Sequence, residues 1–349
     1  MTPVAVVENV TPQRFREEIA PAGRPVLMKN LVADWPVIAA GRRSPRSAVD
    51  YVKRFDAGRP IETIFAEAHV RGAFFYDDEL RGLNFFRRPA RLAVSLEGLM
   101  AELEAPEPRS IYIQSAPIPE NLPGFERENR LDLLDSDIEP RIWIGNRLVV
   151  QTHFDLSSNI ACVAAGRRRF TLFPPHQLPN LYVGPFELTL AGPPVSMVRL
   201  EAPDFERYPR FREALAEAET ATLEPGDALF IPYFWWHHVQ SLDAFNILVN
   251  YWWSDADASL ASPFDAMLHA ILSVRDLPPA QRAIWREVFD YYVFGSHGDP
   301  VAHLPEPARG ALGPHSPELR RQLWATLAKA VGRHAARLHA PGGGRPPSR

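Results

Sequence analysis

The stretch that decides the fold runs from residue 142 to residue 173 and reads IWIGNRLVVQTHFDLSSNIACVAAGRRRFTLF. It contains three runs rich in β-branched and aromatic residues, which we predict to be strands at Ile142–Phe154, Asn159–Ala165 and Arg168–Phe173. Gly166 marks a turn between the last two. Several short strands separated by turn residues are typical of an all-β sandwich or barrel.

Similar strand patterns lie on both sides of this stretch. Proline, glycine and aspartate punctuate it, as at Pro174-Pro175, Pro225-Gly226-Asp227 and Asp243. Further strands are predicted at Arg24–Asn30, Arg109–Ser115, Ala228–Pro232, His237–Leu242 and Phe245–Trp253. The sequence therefore predicts a mostly β fold with helical additions.

Helical patterns lie before and after the strands. The predicted helix starts are Thr11-Pro12, Ser44-Pro45, Ser262-Pro263, Pro278-Pro279 and Ser316-Pro317, with one more helix at Leu96–Leu103. We accordingly divide the chain into a β-rich domain at 1–255, a C-terminal helical region at 256–340 and a Gly/Pro/Arg-rich tail at 341–349 that we expect to be disordered.

Composition excludes several classes of protein. The 349 residues carry a net charge of −4, which gives no electrostatic case for binding nucleic acid or an anionic membrane. The single cysteine rules out an intramolecular disulfide framework and a cysteine-based zinc site. The N-terminus lacks a secretory pattern, and no apolar run approaches a membrane span of roughly 18 residues. We expect a cytoplasmic protein.

A candidate metal site follows from strand geometry. On a strand, residues i and i+2 share a face, so His153 and Asp155 project side by side. An isolated His-x-Asp pair more often forms hydrogen bonds than binds a metal. Here His237 or His238 on a later strand can provide a third ligand. His237 shares its face with Val239, which favours an inward position. Two histidines and one carboxylate form the triad that leaves three positions open on iron(II).

Three segments together resemble one known family. Gln151–Asp155, Gly166–Pro175 and Pro225–Asn250 are similar to the JmjC, cupin-like branch of the 2-oxoglutarate- and iron(II)-dependent oxygenases. The nearest pattern is that of the asparaginyl hydroxylase type that inhibits hypoxia-inducible factor. The motifs are His-Phe-Asp, Phe-Thr-Leu-Phe-Pro-Pro, Pro-Gly-Asp-Ala-Leu-Phe-Ile-Pro and Trp-Trp-His-His-Val, and the similarity covers about residues 10 to 255.

The resemblance implies a double-stranded β-helix (jelly-roll) core with N-terminal α/β elements and a C-terminal helical region. It implies iron(II) held by His153, Asp155 and His237, with 2-oxoglutarate and dioxygen as cosubstrates. It also implicates Tyr112, Asn159 and Asn250 as polar residues of the cosubstrate pocket.

The cation for the far carboxylate of 2-oxoglutarate is expected in Gly166–Phe170. Strand alternation turns Arg168 inward with Phe170, whereas Arg167 and Arg169 belong to a solvated face. The alternative is that all three arginines are solvated. Relatives carry lysine at the position of Arg168 and often threonine at that of Val150, so the pocket departs from the family pattern at two positions.

The reaction implied first is hydroxylation of a protein or peptide side chain. A small-molecule hydroxylase or a demethylase of the same chemistry stays open, as do a zinc or manganese hydrolase or isomerase and a non-catalytic metal-binding or scaffold protein. The apolar stripes at 264–272 and 284–292 suit either a homodimer or burial against the barrel. Glu67–Arg88 suits either a substrate-facing flap or a packed aromatic hairpin.

Overall fold

The computed structural model describes residues 1–190, 192–257 and 259–339. The tail at 341–349, predicted to be disordered, lies outside these residues. The chain divides into two compact units, Met1–Asp255 and Ala256–Arg349. Each is described by itself.

The first unit is built on two β-sheets. Its strands are β1 (Thr2–Pro3), β2 (Ala5–Val7), β3 (Val26–Met28), β4 (Pro60–Ala66), β5 (Phe86–Arg91), β6 (Ser110–Pro117), β7 (Pro140–Gly145), β8 (Val149–His153), β9 (Ser158–Ala165), β10 (Arg168–Phe173), β11 (Glu219–Leu223), β12 (Ala228–Ile231), β13 (Trp236–Ser241) and β14 (Asn246–Trp253). One sheet has the order β1-β11-β10-β13-β8, and the other β2-β3-β12-β9-β14-β7-β6-β4-β5.

The eight strands from β7 to β14 form a double-stranded β-helix. The chain passes back and forth between the sheets, so that β7, β9, β12 and β14 lie in one sheet and β8, β10, β11 and β13 in the other. Apolar side chains from both sheets meet in one buried cluster, for example Val163 and Leu248 from one and Phe170 and Val239 from the other. This sandwich core confirms the predicted jelly-roll fold.

Helices surround the sheets of the first unit. They are α1 (Pro12–Arg14), α2 (Pro36–Arg43), α3 (Pro45–Lys53), α4 (Leu92–Glu102), α5 (Ile118–Asn121), α6 (Phe125–Glu128) and α7 (Phe211–Glu217). Thr11 caps α1 as predicted, since its side chain accepts a hydrogen bond from the Arg14 backbone, and the turn continues as a π-helix at Phe15–Ile19.

One local prediction was wrong, and one strand of the double-stranded β-helix was not predicted. Ile142–Phe154 is not one strand but two, β7 and β8, with a turn between them. The side chain of Asn146 holds that turn, because its Oδ1 accepts from the Ile111 amide and its Nδ2 donates to the Arg109 carbonyl. Strand β11 was not predicted at all, because its sequence Glu-Thr-Ala-Thr-Leu has few apolar residues. Hydrogen bonding to β10 stabilises β11, although few of its own residues are apolar.

The second unit contains α8 (Pro263–Ser273), α9 (Pro279–Tyr292) and α10 (Pro317–His339). All three begin at the proline positions that the sequence indicated, and Ser262 caps α8 through a hydrogen bond from the Phe264 amide. Within the described residues, no helix combines the length and the apolar character that a bilayer crossing requires.

Candidate metal centre

Three side chains converge at the β8 edge of the smaller sheet, where β8 pairs with β13. His153 is the last residue of β8 and lies opposite His237 of β13 in the antiparallel register. Asp155 follows two residues after β8 ends. One ligand atom from each of the three side chains lies within 4.8 Å of the others, and the His237 Nε2 is 3.5 Å from an Asp155 carboxylate oxygen. Two imidazoles and one carboxylate at this spacing can share a divalent cation.

Backbone carbonyls fix the orientation of both imidazole rings. The Nδ1 of His153 lies 2.8 Å from the Gln151 carbonyl oxygen, and the Nδ1 of His237 lies 3.0 Å from the Trp235 carbonyl oxygen. A carbonyl only accepts, so each Nδ1 donates a proton and each Nε2 keeps its lone pair. This is the arrangement in which protein imidazoles commonly bind metals.

Asp155 is held once at its side chain and once at its backbone. The indole Nε1 of Trp252 donates to Asp155 Oδ2 at 3.1 Å, and the backbone N–H of Phe234 donates to the Asp155 carbonyl at 3.2 Å. The ring of Phe234 stacks on that of Phe154, with 4.2 Å between centroids. Phe234 has a φ of 65°, a left-handed conformation that is strained for a bulky residue. The sequence shows no signal for these contacts, because they join residues about 80 to 100 positions apart.

Burial and charge keep the site ready for a cation. Burial, assisted by repulsion from His237, lowers the pKa of His153 to about 4. The ring is therefore neutral at pH 7, as a metal ligand must be.

The second histidine of the pair lies elsewhere. His238 is fully buried, with its Nδ1 3.4 Å from the Thr152 hydroxyl and its Nε2 3.3 Å from a carboxylate oxygen of Glu201. Burial acts to raise the pKa of Glu201, but the contact with His238 outweighs it and the pKa is lowered. The structure thus places His237, not His238, beside His153 and Asp155.

A cavity of about 50 Å³ opens beside these three side chains. It brings together all seven residues that sequence reasoning selected, namely His153, Asp155, His237, Arg168, Tyr112, Asn159 and Asn250. Val150, at the position where relatives carry threonine, also lines it. A tryptophan that sequence reasoning did not select, Trp143, lines it as well.

Arg168 is the charged group of this cavity. It is only 3% exposed, whereas its neighbours Arg167 and Arg169 are exposed. Its Nε and Nη2 atoms have no hydrogen-bond partner within the described part of the chain. Burial lowers the pKa of Arg168 and raises that of Tyr112, and the contact between the two groups opposes both shifts. A buried guanidinium with unused donors requires an anionic partner.

The two asparagines belong to a hydrogen-bonded chain. The Nε1 of Trp143 donates to the Asn250 Oδ1 at 2.6 Å, and the Asn250 Nδ2 donates to the Asn159 Oδ1 at 3.2 Å. All three residues lie on neighbouring strands of the larger sheet. This chain fixes both amides at the wall of the cavity.

The sequence of this chain is similar to one protein family and to several known proteins. The model of the family described as "Cupin-like domain" matches residues 12–259. Lysine-specific demethylase JMJ31 of Arabidopsis thaliana is 26% identical over 72% of this chain and 50% of its own length. HSPB1-associated protein 1 of Homo sapiens is 35% identical over 42% of this chain and 30% of its own length. tRNA wybutosine-synthesizing protein 5 of Gallus gallus is 26% identical over 73% of this chain and 78% of its own length.

The chain thus spans half the length of the first of these relatives and less than a third of the second. The family match covers the whole double-stranded β-helix together with its N-terminal additions. The chain therefore belongs to the cupin-like, JmjC-type family.

Proposed function

We propose that this protein is an iron(II)- and 2-oxoglutarate-dependent oxygenase that hydroxylates a protein or peptide side chain. The observation that carries the proposal is one shared cavity. It joins a cluster of two histidines and an aspartate to a buried arginine, two of whose donors have no partner among the described residues. A metal ion would bind to the cluster of three side chains, and a dicarboxylate would pair with the arginine in the same cavity.

The residues present fit 2-oxoglutarate. Nε and Nη2 of Arg168 lie along one edge of the planar guanidinium and can bind a carboxylate in a bidentate fork. The Tyr112 hydroxyl lies close enough to Arg168 to supply a further donor. Lysine offers only a point charge, so arginine here replaces it with a directional pair of donors.

Each residue has a distinct role in this proposal. His153, Asp155 and His237 would hold the iron, and Asn159 and Asn250 would orient the cosubstrate through their fixed amides. When bound, iron and 2-oxoglutarate supply the oxidation by dioxygen, which releases succinate and carbon dioxide and inserts oxygen into a C–H bond. The protein's share is to orient the reactants and exclude water.

The choice of substrate depends on weaker support. A protein or peptide side chain is our first proposal, and a small-molecule hydroxylase or a demethylase uses the same site. One relative is by name a lysine demethylase and another a tRNA-modifying protein. The net charge of −4 gives no support for a nucleic acid substrate, so we propose none.

Two rivals use the same three side chains. A zinc or manganese hydrolase would need the triad but not a buried arginine without a partner, so Arg168 favours the oxygenase. A non-catalytic metal-binding or scaffold protein could orient the same three ligands, but it would not need two unpaired arginine donors in the same cavity.

The decisive experiment is an anaerobic titration of metal-free protein with iron(II) and then 2-oxoglutarate. Chelation by the 2-oxo acid should produce a weak visible charge-transfer band, and admission of air should then release succinate. A protein that binds iron but shows neither band nor succinate would contradict the proposal. Inductively coupled plasma analysis of the purified protein separates iron from zinc and manganese.

We further propose a cytoplasmic location and a homodimer formed through the helices of the second unit. These helices carry exposed apolar side chains, among them Leu272, Ile284, Trp285 and Leu327. Sedimentation that shows only monomer at micromolar concentration would remove the dimer.

A further inference from the structure

A second cavity adjoins the one just described. It has a volume of about 30 Å³, and Tyr112, Val150 and His153 border both cavities. Its remaining walls are apolar apart from two glutamines, Gln114 and Gln151. Phe74 and Phe85 of the aromatic segment and Leu190 of a later loop supply most of the apolar surface. Of the described residues that line it, none is Asp, Glu, Lys or Arg.

Gln151 lines this cavity at an irregularity in β8. Val150 pairs with Val239 and His153 pairs with His237, so three steps along β8 match two steps along β13. The extra residue is a β-bulge at Gln151–Thr152, a device that redirects side chains beside active sites.

A second bulge contributes Gln114. The register of β6 against β7 slips between Ile113 and Ala116, again three steps against two. Ser115 within this bulge has a φ of 52°, and Arg141 holds the distortion by donating to the Ser115 carbonyl at 2.7 Å. The two glutamines of this small cavity therefore both lie at distortions of the sheets.

Gln151 has no partner for its amide. It is fully buried, and neither its Nε2 nor its Oε1 has a hydrogen-bond partner in the described part of the chain. A buried amide left unpaired is unfavourable and uncommon, so a ligand is its natural complement. The volume is about twice the roughly 15 Å³ that one water requires, enough for a small planar polar group.

The residues that line the cavity favour an uncharged ligand over a charged one. The glutamine amide presents one donor and one acceptor edge in a single plane, which another amide can match at two points. An ammonium or carboxylate placed here would lose its hydration without gaining a counter-charge among the lining residues.

We infer that Gln151 is a specificity-determining residue that receives an uncharged amide group of the substrate, a side-chain carboxamide or a peptide amide, beside His153. This inference rests on the proposed function, and it narrows the protein or peptide substrate to one that presents such an amide at the metal. Gln114 assists from the facing bulge, and the aromatic segment at Glu67–Arg88 forms part of the substrate wall.

The test uses the side-chain amide signals of the full chain labelled with ¹⁵N-glutamine. The sequence contains seven glutamines, so Gln151→Leu identifies the Gln151 signal by its loss. Protein loaded with Zn²⁺ and 2-oxoglutarate is titrated with formamide, formate and methylammonium, which are small and differ in charge. Gln177 is an internal control, because it is buried outside this cavity and its Oε1 accepts from Asn180.

Formamide should shift the Gln151 signal saturably, with formate and methylammonium at least about tenfold weaker and Gln177 unmoved. In Gln151→Leu the response of the Gln114 signal to formamide should weaken by about tenfold, as expected for the loss of two hydrogen bonds. If Gln151→Leu does not fold, Gln151→Asn assigns the Gln151 signal by its loss from the glutamine-labelled spectrum, and the comparison of the three probes on wild type decides the question.

A Gln151 signal indifferent to formamide, or one that follows formate or methylammonium equally, overturns the inference and indicates that ordered water alone fills the cavity. Loading is measured first by calorimetry, and the titration is repeated on metal-free protein. If the protein does not bind Zn²⁺ and 2-oxoglutarate but its Gln151 signal still responds to formamide, the oxygenase proposal is refuted and the amide site stands. Normal loading without a response refutes only the amide site.

Discussion

Replacement of Arg168 by methionine should weaken 2-oxoglutarate binding and at the same time stabilise the ligand-free protein. Methionine retains most of the length of the side chain but removes the charge and the unpaired donors. Two charge-assisted hydrogen bonds to a carboxylate, at about 1.5 kcal/mol or more each, amount to about 3 kcal/mol. The dissociation constant should therefore rise by roughly 150-fold.

The stability effect has the opposite sign. Each buried donor left unpaired costs about 1–3 kcal/mol, so the ligand-free Arg168→Met protein should be more stable by about 2 kcal/mol or more. For a unit of this size that corresponds to a rise in Tm of about 4–8 °C. Addition of 2-oxoglutarate and metal should raise the Tm of wild type but hardly that of the variant.

The assay is isothermal calorimetry of 2-oxoglutarate into protein loaded anaerobically with iron(II), with thermal unfolding measured in parallel. Arg169→Met is the matched control, since Arg169 is the exposed neighbour on the same strand and should change neither quantity appreciably. An affinity within about twofold of wild type in folded Arg168→Met would refute the assignment of the anchor. A ligand-free variant that is less stable than wild type would refute the claim that the two unpaired donors of Arg168 destabilise the ligand-free protein.

Three further predictions concern the metal ligands. His237→Ala should abolish high-affinity iron binding in a chelator-competition assay, whereas His238→Gln should retain it within about tenfold, and the reverse order would contradict the assignment. Trp252→Phe removes the indole donor to Asp155 and should weaken iron binding about 10–100-fold in the same assay, with the fold intact. Unchanged affinity would show that this hydrogen bond does not position the carboxylate. In metal-free protein the pKa of His153 is lowered, so below the ordinary pKa of 6.5 the unfolded state binds more protons at this residue than the folded state does. The free energy of unfolding should therefore fall by up to about 1.4 kcal/mol per pH unit from pH 6.5 towards pH 4. Urea unfolding at a series of pH values measures this slope, and the same slope in His153→Gln would rule the explanation out.

The fold was accessible from the sequence because its strands are locally encoded. Runs such as Asn159–Ala165 and Arg168–Phe173 carry the residue types that suit buried strands, and both appear within one residue of the predicted bounds. Strand β11 was missed because its stability comes from pairing with β10 rather than from its own composition. Helix α2 was missed as well, although Pro36 stands at its first turn.

The site was accessible only in part. Alternation along one strand indicated the inward position of Arg168, and the motif resemblance indicated Tyr112 and the two asparagines. The orienting contacts were not predictable, because each joins groups that are distant in the chain, such as Trp252 with Asp155. A strained backbone at Phe234 has no signature in a phenylalanine.

Both cavities owe their shape to the same short strand. Strict alternation along β8 would turn Val150 and His153 to opposite faces, because they are three residues apart. The bulge at Gln151–Thr152 inserts one residue, so that Val150 and His153 line both cavities while Gln151 reaches only the second. In the proposed function, His153 therefore has a cosubstrate side and a substrate side. The ligand motif does not encode the bulge in β8, so the motif alone does not determine what the protein accepts.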